Sequence, residues 1–179
     1  MSQIATTYAQ ALYDLAAEEK LEQQVLEQLD ALQQAFSQEP DFLALLSAPN
    51  LSKLERCQIL DGSFRDSVHI YVLNFLKILT EKGYVRYFAD CCKAFTRLYH
   101  EDNGILPVKV VTAVALTQAQ EEKLRQKLNT LTGKQVLLQS RVDPSVMGGV
   151  RLDYDGKRVD GTVQSRLDAV RDLLKNTVL

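Results

Sequence analysis

Apolar residues recur at three- and four-residue spacing through roughly the first hundred positions, which predicts a run of amphipathic helices. Ile4, Tyr8, Ala11, Leu12 and Leu15 mark the buried face of a first helix, and Ala5, Ala9, Ala16 and Ala17 keep it thin enough for close packing. Leu21, Val25, Leu29, Leu32 and Phe36 mark a second. Glu39-Pro40 restarts the chain into a short third helix bearing Phe42, Leu43, Leu45 and Leu46, with proline in the first turn, where its missing N–H costs nothing. Ala48-Pro49-Asn50 stops it. Ser52-Lys53-Leu54-Glu55 is a capping box, in which serine oxygen and glutamate carboxylate each accept from an otherwise unpaired backbone N–H, so a fourth helix opens at Lys53. Val68, Tyr71, Val72, Phe75, Leu76 and Leu79 define a fifth, closed by Lys82-Gly83. Tyr84, Val85, Phe88, Cys91, Cys92, Phe95, Leu98 and Tyr99 define a sixth. Six short helices joined by short loops predict a bundle.

Near Asn103-Gly104 the period changes, which predicts a domain boundary with residues 1–104 on one side and 105–179 on the other. Residues 107–114 are rich in β-branched side chains and read as a strand. Thr117-Gln118-Ala119-Gln120 is a second capping box, opening a helix on Leu124, Leu128 and Leu131 that Gly133 closes. Val136, Leu138, Ser140 and Val142 share one face of a second strand, and Val150, Leu152 and Tyr154 one face of a third. Asp155-Gly156 is a hairpin turn of the kind that needs positive φ. A last helix is expected on Val163, Leu167, Val170 and Leu174. The predicted fold class is mainly α: an N-terminal six-helix bundle, then a small α+β domain with a short sheet and two helices.

Composition narrows the function classes. With 46% apolar residues among 179, the chain can bury a core, and its formal charge is only -2. Residues 1–60 carry nine acids (Asp14, Glu18, Glu19, Glu22, Glu27, Asp30, Glu39, Asp41, Glu55) against Lys20, Lys53 and Arg56. Such a balance would repel RNA or an anionic bilayer, so no nucleic-acid partner is expected. No apolar run approaches the roughly 20 residues needed to cross a membrane, and no signal peptide is evident, so the expected compartment is the cytosol unless a partner holds the chain to a membrane. Cys57, Cys91 and Cys92 are odd in number and two are adjacent, which suits a reducing compartment better than a disulfide framework.

Candidate chemistry is sparse. Asp153-Tyr154-Asp155-Gly156 looks like part of a calcium loop, but alignment of Gly156 to the invariant glycine puts Arg151 and Thr162 where the ion needs carboxylates. Gly148-Gly149 has neither the Gly-Lys-Ser/Thr nor the helix start of a phosphate cradle and reads as a turn. Cys91-Cys92 lie on an apolar stripe and read as buried thiols. His69 and His100 adjoin no nucleophile or ligand. No cofactor, metal or catalytic residue is expected, which disfavours a small enzyme. The alanine-rich first helix and aromatic fifth helix could instead form a shallow groove for an amphipathic helix of another protein.

These residues resemble the delta subunit family of the F-type ATP synthase, equivalent to the mitochondrial oligomycin-sensitivity-conferring protein. The similarity runs from Ile4-Ala-Thr-Thr-Tyr8-Ala-Gln-Ala-Leu12-Tyr13 to Asp143-Pro-Ser-Val-Met-Gly148-Gly149-Val150, Val159-Asp160-Gly161-Thr162-Val163 and Arg166-Leu167. The chain differs at Gln164-Ser165, where many members have Arg-Gly. The resemblance implies a non-catalytic stator subunit linking the catalytic head to the peripheral stalk, so that proton-driven rotation yields ATP. It implies that the N-terminal helix of an alpha subunit binds between the first and fifth helices, with Tyr8, Ala9, Leu12, Phe75, Leu76 and Leu79 as groove residues. It further implies that the C-terminal part holds the b subunits through Val146, Met147, Val163, Leu167, Val170 and Leu174. No homo-oligomer is implied, and the membrane is reached only through the complex, on the cytoplasmic side of a bacterial cell membrane. The rival is a helical-bundle RNA-binding factor of the transcription antitermination type, whose fold is similar but which should show a basic face.

Overall fold

Alanine decides how the first helix sits. In a computed structural model describing residues 3–48, 51–163, 165 and 167, α1 (Gln3–Glu18) turns Ala5, Ala9, Leu12, Tyr13 and Ala16 into the core. The stripe expected to be buried is rotated outward: Ile4 and Tyr8 are half-buried, Ala11 and Leu15 exposed. Small side chains let neighbouring backbones approach, so the alanine face wins the interior and larger residues are left at the rim.

Five further helices complete the first unit: α2 (Glu22–Gln38), α3 (Pro40–Leu46), α4 (Lys53–Phe64), α5 (Ile70–Glu81) and α6 (Phe88–Asp102). The Ser52 box forms as expected, with Glu55 N–H donating to Ser52 Oγ at 3.2 Å and Ser52 N–H to Glu55 Oε2 at 2.8 Å. Gly83, at φ 71°, follows α5 in the left-handed region. The chain then makes a 3-10 turn at Val85–Tyr87, so Tyr84 and Val85 precede the sixth helix rather than opening it. The stop expected at Pro49-Asn50 lies outside the described residues. Phe36 of α2 joins this core together by touching Phe42 of α3, Phe64 of α4 and Phe88 of α6, at centroid distances of 5.6, 5.9 and 5.1 Å. Tyr13 of α1 meets Phe95 of α6 at 5.3 Å.

The chain divides into two compact units, one ending at Tyr99 and the next beginning at His100, so the division falls in the last turn of α6 and not after residue 104 as expected. The second contains β1 (Ile105–Thr112), α7 (Gln118–Thr132), β2 (Gln135–Val142), a 3-10 turn at Pro144–Val146, β3 (Val150–Tyr154) and β4 (Lys157–Asp160). The sheet order is β2-β1-β3-β4, with β1 parallel to β2 and the other pairs antiparallel. The parallel pair follows from α7, a helical crossover that returns the chain to the start of β1. Leu106, Val108 and Val110 of β1, with Val136 and Leu138 of β2 and Val150, Leu152 and Tyr154 of β3, pack with Leu124 and Leu128 of α7. Leu131, expected on that face, is exposed in the last turn of α7; Val114 lies past the end of β1, also exposed.

Local signals in this unit formed as written. Thr117 N–H donates to Gln120 Oε1 at 2.9 Å and Gln120 N–H to Thr117 Oγ1 at 3.3 Å. Gly133 closes α7 at φ 67°, and Asp155 and Gly156, at φ 47° and 71°, turn the β3–β4 hairpin. Val163, Ser165 and Leu167 are helical; Val170 and Leu174 lie outside the described residues.

Candidate partner-binding surfaces

Tyr8 of α1 meets Tyr84, just past the C-terminal end of α5, edge to face at 5.9 Å, so the two helices run antiparallel. Between them lies an open groove of about 420 Å³. Tyr8, Ala11, Leu12 and Leu15 line one wall, and Tyr71, Asn74, Phe75 and Ile78 the other. Each set repeats at i, i+3, i+4 and i+7, the spacing with which a helix presents one seam to a neighbour. Leu12 and Phe75 are buried and form the floor, whereas Leu15 and Ile78 remain 39% and 45% exposed.

The rotation of α5 that opens this seam is fixed at its start and again in its second half. His69 caps the helix, its Nδ1 accepting from Tyr71 N–H at 3.4 Å, while its own N–H donates to Gln28 Oε1 of α2 at 2.8 Å. The Lys77 ammonium pairs with Asp61 of α4 at 2.6 Å. These contacts hold the remaining faces of α5 against α2 and α4 and leave Tyr71, Asn74 and Ile78 to the groove.

Of the six expected groove residues, Tyr8, Leu12 and Phe75 line it. Ala9, Leu76 and Leu79 sit in the core beneath, each at most 1% exposed. Sequence reasoning missed Ala11, Leu15, Asn74 and Ile78 as groove residues and assigned Tyr71 to packing. One signal was available: α1 is apolar on two adjacent stripes, more than a single core-facing face requires.

A second set of surfaces surrounds the glycine-rich segment. Asp143 accepts from Ser145 N–H at 3.1 Å and Ser145 Oγ at 2.6 Å, and the serine's hydroxyl and backbone bonds hold its carboxyl below the usual range. This turn buries Val146 and leaves Met147 65% exposed at φ 60°. Gly149, at φ 82°, presses on Gly161-Thr162, and Val163 N–H donates to Gly148 O at 3.0 Å. Thr162 is buried; its hydroxyl donates to Asp160 Oδ1 at 2.7 Å and accepts from Ser165 N–H at 3.2 Å, capping the helical segment that follows. Met147, Val163 and Leu167 are thereby offered outward together, the last two at i and i+4. Val146 is core instead of surface, and Val170 and Leu174 are outside the described residues.

The other motifs are structural. Asp153, one acid of the calcium-like loop, accepts from Arg158 Nε at 2.6 Å, and Gly148-Gly149 lead into β3 and not into a helix. Cys91 and Cys92 are buried; desolvation pushes the Cys91 thiol up to about 11 and Cys92 higher still. Among the described residues no cluster of three or more His, Cys, Asp or Glu could hold a metal.

A family model described as the ATP synthase delta (OSCP) subunit matches residues 4–174. The chain is 32% identical over 176 residues to ATP synthase subunit delta of Alkaliphilus oremlandii, covering 98% of both proteins. It is 33% identical over 172 residues to the subunit of the same name in Lacticaseibacillus casei, covering 96% of this chain and 94% of the relative. A chain of the Toxoplasma gondii mitochondrial ATP synthase hexamer shares the fold, with a TM-score of 0.74 at 20% identity over 97% of this chain and 98% of that one. The chain therefore belongs to the ATP synthase delta (OSCP) subunit family. It is a non-catalytic stator subunit, a peripheral part of a membrane-bound complex; no helix among the described residues is long and apolar enough to cross a membrane. These relatives give the RNA-binding alternative no support.

Proposed function

We propose that this subunit ties the catalytic head to the peripheral stalk through two separate surfaces, so that proton-driven rotation of the rotor is not shared by the head. The groove between α1 and α5 takes the amphipathic N-terminal helix of an alpha subunit. The b subunits of the stalk bind the C-terminal unit at Met147, Val163 and Leu167. The complex then sits on the cytoplasmic side of a bacterial cell membrane.

The observation that carries this reading is the pair of i, i+3, i+4, i+7 quartets facing one open, largely apolar groove. Single exposed apolar side chains such as Leu54 are ordinary, whereas Leu15 and Ile78 rim one apolar groove, which suits a covering helix. A holder that bears torque through two interfaces is limited by the weaker, so each is expected to be nanomolar or tighter, about 12 kcal/mol. Calorimetry of the full chain with a peptide of the alpha N-terminus tests the first interface; micromolar binding overturns it. Recovery of alpha, beta and b subunits with a tagged copy from native membranes tests the whole assignment.

A further inference from the structure

Asn74 stands out in an otherwise greasy seam. Apart from the hydroxyls of Tyr8 and Tyr71, it is the one polar side chain lining the α1–α5 groove. It is exposed, and among the described residues its side chain has no hydrogen-bond partner. The two quartets line one groove and run antiparallel, so their middle positions, Ala11 with Leu12 and Asn74 with Phe75, occupy its central stretch. That stretch therefore combines a floor of buried Leu12 and Phe75, a wall at Ala11 that is only a methyl group, and the exposed amide of Asn74.

We infer that Asn74 fixes the register of the docked helix by hydrogen bonding to a polar side chain that enters the Ala11 notch. This rests on the reading that the groove takes an amphipathic helix. The physical ground is that a repeating apolar seam specifies register poorly: a helix shifted by three or four residues finds an equivalent set of contacts. One polar position breaks that degeneracy, because every shifted register puts a methyl or methylene group against the amide and strips it of water without replacement. The amide offers two N–H donors and a carbonyl acceptor, so the matching residue is an amide, hydroxyl or charged side chain. Attraction from the aligned register is modest, and discrimination comes from the cost of the misaligned ones.

The test is a double-mutant cycle by calorimetry with the full chain and synthetic peptides of the cognate alpha N-terminus. Each polar residue of the peptide is replaced by leucine in turn and measured against wild type and Asn74→Leu. The expected result is one peptide position whose replacement weakens binding to wild type about fivefold or more yet leaves N74L unaffected or tighter, a net hydrogen bond's worth of discrimination. A spin label at the peptide N-terminus should then broaden one set of groove signals in wild type and two sets in N74L. If every replacement changes binding to both proteins by the same factor, the register role is overturned. Ala11→Leu, which fills the notch on an exposed site, should weaken the cognate peptide and spare a peptide with alanine at the same position, which has no long side chain to insert; equal weakening of both also overturns it. Failure of the peptide to bind wild type at all, or binding unmoved by Leu15→Asp and Ile78→Asp, removes the groove reading itself and is a different outcome from either.

Discussion

A β-carbon added at Gly149 would lie 2.9 Å from the α-carbon of Thr162 and closer still to the Gly161 carbonyl oxygen. Both obstacles are backbone, so neither can swing aside, and φ 82° is a conformation that alanine resists. Gly149→Ala should therefore destabilise the second unit by about 3 kcal/mol. Urea unfolding of the full chain, followed at Tyr154 and at amide signals of β1, checks this; a loss below about 1 kcal/mol would show that the contact relaxes freely.

Groove and core substitutions should separate binding from folding. Leu15→Asp and Ile78→Asp alter exposed rims and should leave the unfolding midpoint within about 0.5 kcal/mol of wild type while weakening the alpha peptide more than tenfold. Leu76→Ala, one helical position from the floor residue Phe75, empties a buried site and should cost about 3 kcal/mol of stability. Thermal unfolding and calorimetry on the same three variants distinguish the two roles.

The two capping boxes should contribute alike and independently. Ser52→Ala and Thr117→Ala each remove one acceptor from a helix N-terminus, at about 1 kcal/mol apiece. Hydrogen exchange should show the first loss confined to α4 and its neighbours and the second to α7, because the caps belong to different units.

Those caps, like Gly133 and Asp155-Gly156, were legible in the sequence because each depends on residues three or four apart. The face of α1 was not. Its three-four periodicity admits two solutions, and choosing the larger side chains for the interior puts Ile4, Tyr8, Ala11 and Leu15 inside when Ala5, Ala9 and Ala16 occupy it. Which stripe wins depends on how closely the other helices approach, a property of the assembled bundle. The same uncertainty of a third of a turn on α5 made Leu76 and Leu79 groove candidates in place of Asn74 and Ile78. The parallel pairing of β1 with β2 was equally beyond local pattern, since residues about 30 apart must meet, as Ile105 and Gln135 do.

Acid should loosen the start of the C-terminal helical segment. Asp160 is held ionised below the usual carboxylate range, chiefly by the Thr162 hydroxyl and then by its N–H. The contribution of that carboxylate is complete above the ordinary aspartate range and is lost as pH falls through the lowered value. Protection factors of the Thr162 and Ser165 amides, taken relative to the intrinsic exchange rate at each pH, should fall on acidification, and Asp160→Asn should flatten the dependence; an unchanged profile in the variant would assign the effect to another group.

Thiol chemistry gives a further check. Cys57 is half-exposed and its thiol, pushed up by desolvation and by Glu81, donates to that carboxylate at 3.6 Å; Cys91 and Cys92 are buried. At pH 8 a bulky disulfide reagent should modify Cys57 slowly and the adjacent pair only on unfolding, so modification of the pair serves as a clock for opening of the first unit. Rapid modification of all three in the folded chain would contradict the packing around α6.

The outward stripe on α1 has a consequence for the life of the subunit before it is built into anything. In the proposed role, a copy that has folded but found no partner differs from an installed one by a wet, oily furrow, and water makes that furrow adhesive toward whatever apolar surface arrives first. Supply in excess of that partner should accordingly yield clumped or degraded chain instead of a soluble reserve, and the chemistry of the unfilled groove would then match the numbers of the two proteins.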